Sequence, residues 1–118
     1  MDLEIQTRRL DMEPAWRTLI EQQAGRLGER HPELLRMHVT LSHGRHHRRG
    51  YEAASIVANL AGTTLSAAKE EASVRMAIQS AFMAIAREIR RQRRMRWRTR
   101  RTRAANDQQQ GAQRLESL

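Results

Sequence analysis

The stretch AASIVANLAGTTLSAAKEEASVRMAIQSAFMAIAREI, residues 53–89, changes its apolar period partway along, and that change decides the fold. Up to Ala67 the apolar side chains alternate: Ala54, Ile56, Ala58 and Leu60, then Leu65 and Ala67 beyond a turn that holds Gly62. A period of two sets each group on one face of a pleated strand, so the segment reads as a β-hairpin with one buried side. From Ser73 the period lengthens. Ala77, Ile78, Ala81, Phe82, Ile85 and Ile89 recur at three and four, the spacing of a single helical stripe. The Ser73 hydroxyl stands where a helix needs an N-cap.

The same patterns extend toward the N-terminus. LLRMHVTLSH (34–43) alternates, with Leu35, Met37, Val39 and Leu41 on one face and Arg36, His38, Thr40 and Ser42 on the other. LEIQT (3–7) is a shorter strand that turns Leu3 and Ile5 inward. Between them Trp16, Leu19, Ile20, Gln23, Ala24 and Leu27 form a stripe over residues 14–29. Pro14 suits the first turn, Gly25 and Gly28 weaken the end, and Pro32 stops it. The order is β-α-β-β-β-α. One apolar face per strand and one stripe per helix predict an α+β fold, a two-layer sandwich of a four-stranded sheet with two helices packed on one face. The other sheet face is expected to meet water. Trp16, Met76 and Phe82 lie on helical stripes and are read as core.

Charge is distributed unevenly. Residues 1–86 carry eleven basic and ten acidic side chains, whereas residues 87–103 hold ten arginines against Glu88 alone. A near-neutral body with a cationic arm points to a polyanionic partner. Lys69 is the single lysine among 22 cations. Arginine offers a flat, bidentate fork to phosphate and stacks on bases, which suits nucleic acid; a GC-rich genome would produce the same bias. Residues 104–118 are polar with almost no apolar anchor and are expected to be disordered. The expected division is a binding domain over 1–97 and a basic, then polar, tail over 98–118. There is no cysteine, hence no disulfide and no thiolate metal site. The N-terminus does not read as a signal peptide, and the longest apolar run, MAIQSAFMAIA, is far too short to span a membrane. A cytoplasmic protein is expected.

The run NLAGTTLSAAKEEASVRMAIQSAFMAIAREIRRQRRMR resembles the ribosome hibernation promoting factors, also called ribosome-associated inhibitors or sigma-54 modulation proteins. Leu60, Gly62, Leu65, Ala67, Glu70, Glu71, Ala77 and Ile78 carry the likeness, with Arg87, Arg90, Arg91 and Arg93 matching the basic run that closes the family's last helix. It covers residues 2–96 and is to the short class, without a ribosome-pairing domain. Ser73 and Arg75 stand where the family usually has aspartate and tyrosine, and Gln92 where it has histidine. The resemblance implies a protein, monomeric off the ribosome, that sits between head and body of the small ribosomal subunit. There it would fill the path of mRNA and tRNA and silence idle ribosomes.

The candidate RNA contacts are Arg87, Arg90, Arg91, Arg93, Arg94, Arg96 and Arg98 on the arm, Arg45, Arg48 and Arg49 in the loop GRHHRRG (44–50), and Arg75. Trp97 either stacks on a base or packs on the domain. His43, His46 and His47 invite a metal, but the flanking arginines would repel it, so no metal or other cofactor is expected. No glycine-rich phosphate loop or nucleophile elbow is present, and Glu70 and Glu71 are read as adjacent in a turn, which argues against an enzyme. A membrane surface is a poor partner because Ile89, Met95 and Trp97 are too few to form an apolar wedge. Rival functions are a general RNA-binding module of the same fold and a protein-interaction regulator; a DNA binder lacks a recognition helix with base-reading Asn or Gln.

Overall fold

In a computed structural model of the chain, residues 1–44 and 50–95 are described in full, and over residues 96–116 the backbone alone is described. By its contacts the chain divides into two units, Met1–Glu88 and Ile89–Leu118. The elements run β1 (Asp2–Thr7), α1 (Pro14–Arg30), β2 (Leu34–His43), β3 (Glu52–Leu60), β4 (Thr63–Glu71) and α2 (Val74–Glu116). Fold class and element order agree with the sequence reading. The sheet order is β1-β2-β3-β4, so β1 and β4 are its edges. β1 pairs with β2 in parallel across the α1 crossover, while β2 with β3 and β3 with β4 are antiparallel.

Register explains which face is dry. Leu3 lies beside Met37 and Ile5 beside Val39; Met37 faces Ala58, and Ala58 faces Leu65. Met37, Val39, Leu41, Ala54, Ile56 and Ala58 are wholly buried. They meet the side on which Ile20, Ala24 and Leu27 of α1 and Ala77, Ile78, Ala81, Phe82 and Ile85 of α2 are also buried. The alternate residues, His38, Thr40, Ser55, Val57, Asn59 and Ser66, are half-buried or exposed, so the opposite face is open as expected. Full burial of a Leu or Ile side chain contributes about 1.5–3 kcal/mol. The turn between β3 and β4 requires Gly62, whose φ is +83°. His31 closes α1: its N–H donates to the Leu27 carbonyl at 3.0 Å, and its own carbonyl accepts from Leu34 N–H at 3.0 Å.

Three expectations need correction. The pairing of β2 with β3 shifts register between Leu34 and Arg36, and this irregularity turns Leu34 inward (3% exposed) and Leu35 outward (55%). An extra residue in one strand flips the side-chain order around it. Met76 is exposed, not core; Val74, two residues earlier, takes the buried place in the first turn of α2. Glu70 and Glu71 do not lie in a turn but end β4, paired with Ala53 and Glu52, and as strand neighbours they point to opposite faces. The division expected at 97/98 concerns residues whose side chains lie outside the described ones.

Candidate nucleic-acid interface

Within Met1–Glu88, the start of α2 is set by Ser73, whose Oγ accepts a hydrogen bond from Met76 N–H at 3.2 Å. Glu71 Oε1 accepts from Ser80 Oγ at 3.0 Å and ties the end of β4 to the second turn. Burial of Val74, Ala77, Ile78, Ala81, Phe82 and Ile85 fixes the rotation of the helix. Its outer side therefore presents Arg75, Met76, Gln79, Met83 and Arg87, all exposed. Neither Arg75 nor Arg87 makes an ion pair among the described residues. The helix side open to water carries cations and thioethers, with no carboxylate among these five.

In the unit that begins at Ile89, that residue is buried and Gln92 is half-buried, while Arg90, Arg91, Arg93, Arg94 and Met95 are exposed. On a helix, Arg90 neighbours Arg93 and Arg94, and Arg91 neighbours Arg94. Each like-charged pair at this spacing costs about 0.2–0.5 kcal/mol. A phosphate backbone converts that repulsion into attraction and releases condensed counterions. Arg96, Trp97 and Arg98 have side chains outside the described residues, as do Arg45, Arg48 and Arg49 of the loop.

The ends of that loop are described. Gly44 N–H donates to the Tyr51 carbonyl at 3.1 Å, and Gly50 takes a φ of +81°. A side chain at Gly44 would come within 3.1 Å of the Glu70 carboxyl carbon. Two cations that the sequence reading left in the neutral body meet the same end of the sheet. Arg8 N–H donates to the Leu41 carbonyl at 2.9 Å. The Arg9 carbonyl is 3.1 Å from His43 Nε2, while His43 Nδ1 lies 2.8 Å from Glu52 Oε2. Arg9 has a φ of +57°, the one non-glycine residue so placed among those described. Both arginines are exposed. An Arg-Arg pair closing a strand was the available signal, but a left-handed backbone cannot be read from residue type.

Among the described residues no three His, Asp or Glu side chains are grouped to hold a metal ion; His46 and His47 lie outside them. Likewise, no helix among the described residues is long and apolar enough to cross a membrane.

Against known proteins, residues 3–96 match the family model described as sigma 54 modulation protein / S30EA ribosomal protein. No curated protein matches the chain in sequence. Among solved structures it is similar to a ribosomal subunit interface protein from Coxiella burnetii, with a TM-score of 0.71 and 16% identity over 79% of this chain and 98% of that one. It is similar also to the N-terminal domain of Protein Y from Thermus thermophilus, with a TM-score of 0.66 and 24% identity over 77% of this chain and 98% of that one. At these identities the structural likeness concerns the fold.

Proposed function

Because the chain belongs to the sigma 54 modulation protein / S30EA ribosomal protein family, we propose that it binds the small ribosomal subunit through rRNA phosphates and silences idle ribosomes. The observation that carries this reading is the α2 surface: Arg87, Arg90, Arg91, Arg93 and Arg94 are all exposed, while Glu88 is half-buried. Its mechanism is occupancy. A cationic helix fills the path of mRNA and tRNA and competes with both, without making or breaking a covalent bond. The more distal Arg96 and Arg98, the loop arginines Arg45, Arg48 and Arg49, and Arg75 add phosphate contacts, and rRNA phosphates neutralise the self-repelling charge of residues 87–103. Such a protein acts in the cytoplasm, as a monomer off the ribosome.

Reversing Arg90, Arg91 and Arg93 to Glu should abolish binding to purified small subunits while shifting folding stability by no more than about 1 kcal/mol, as for exposed sites. Unchanged affinity in a folded variant would overturn the assignment of this surface. A second reading, a general RNA-binding module, is favoured by the nature of the contacts, since phosphate recognition carries no sequence information. Co-sedimentation with ribosomes from stationary cells, against an excess of unrelated RNA, separates the two.

A further inference from the structure

We propose that Arg8 and Arg9 form a preset RNA-phosphate contact at the end of the sheet, distinct in the sequence from the arginines of α2; the proposal rests on the ribosome-binding reading. Arg9 holds a φ of +57°, a region that a side chain with a Cβ enters only when its surroundings over-determine it. Here they do. Arg8 is tied through its N–H to Leu41 of β2, and the Arg9 carbonyl is met by His43, which in turn is held by Glu52 of β3. Two strands thus fix the backbone of a pair whose side chains are both exposed.

Among the described residues no side-chain hydrogen bond or ion pair engages either arginine. Neither guanidinium makes an ion pair among the described residues, although Asp11 is two positions away. The nearby Glu52 carboxylate is engaged by His43. Glycine would take this backbone without strain, yet the position carries a long cation. In an extended chain successive side chains point to opposite faces. A left-handed residue breaks that alternation and frees both forks to address one stretch of backbone. The ligand chemistry is that of a phosphodiester, which a planar guanidinium grips through two parallel hydrogen bonds. The next apolar residue, Leu10, is half-buried, so the turn lacks the exposed apolar wedge that a lipid surface requires.

The full chain carrying Arg9→Gly or Arg8→Ala is titrated with purified small subunits from about 50 to 300 mM salt, with thermal melting in parallel. Arg9→Gly is expected to raise the melting temperature, because the backbone strain is relieved, yet to weaken binding by about three- to tenfold. Arg8→Ala should weaken binding similarly. Each variant should also lower the slope of log affinity against log salt by roughly 0.7–0.9. Wild-type protein that binds while both variants match it in affinity and slope overturns this proposal alone. A lower melting temperature for Arg9→Gly overturns the strain on which it stands. Wild-type protein that fails to bind small subunits overturns the ribosomal reading and this contact with it.

Discussion

Leu34 and Leu35 are chemically identical neighbours with opposite fates, and the register shift beside them is the cause. Leu34→Ala should cost about 2–4 kcal/mol in chemical denaturation, as a truncation in a packed core does, while Leu35→Ala should stay within about 0.5 kcal/mol. A larger cost for Leu35→Ala than for Leu34→Ala would mean that the strand alternates without interruption. Ser73→Ala should cost about 1 kcal/mol by removing the acceptor of Met76 N–H. The cap was legible because Ser73 sits one step before a clean stripe. The fates of Leu34 and Leu35 were not, since strict alternation from Met37 turns Leu35 inward, and only the register shift against β3 reverses the pair. Met76 was misplaced for a related reason: near a helix start, rotation is fixed by the residues that reach the sheet, and there Val74 does so. As for the site, charge type and the arginine run were plain in the sequence, whereas Arg8 and Arg9 needed backbone angles and a contact with His43, thirty-four positions on from Arg9.

At the scale of the element, α2 is two helices in one by chemistry. Its first turns are held by burial of Val74, Ala77, Ile78, Ala81, Phe82 and Ile85; beyond Met95 the sequence offers arginine after arginine and little apolar surface. The run over residues 87–103, about 25 Å long as a helix, is therefore self-repelling when alone. Ending the chain after Arg94 removes Arg96, Arg98, Arg100, Arg101 and Arg103, half of the ten arginines in that run. The salt slope of subunit binding should fall clearly, while preference for the small subunit persists. An unchanged slope would show that these arginines never meet phosphate. Complete loss of binding by a folded, truncated protein would mean that the arm is the binder and the domain's shape is irrelevant.

For the whole molecule, the separation of charge from core implies two independent responses to salt. Residues 1–86 are nearly balanced, so raising salt from about 0.1 to 0.5 M should move the melting temperature little, while binding weakens on the order of a hundredfold or more. A melting curve that shifted in parallel with affinity would tie the fold itself to the arginine charge. Zinc titration by calorimetry should reveal no stoichiometric site; a tight isotherm abolished by replacing His46 and His47 with alanine would contradict that. One feature of the sheet sets a clock as well as a shape. β2 with β3 and β3 with β4 are joined by short connections, but β1 reaches β2 only across α1, with partners thirty-four positions apart, Asp2 with Arg36 through Thr7 with Leu41. Closing that long loop is entropically costly and is repaid only after β2 exists, so β1 should join last during folding and detach first in brief excursions of the native state. Deuterium should accordingly enter the amides near Asp2 soonest. Uptake should slow toward Arg8, whose N–H is fastened to Leu41. Protection of β1 equal to that of β3 would place it in the folding nucleus instead.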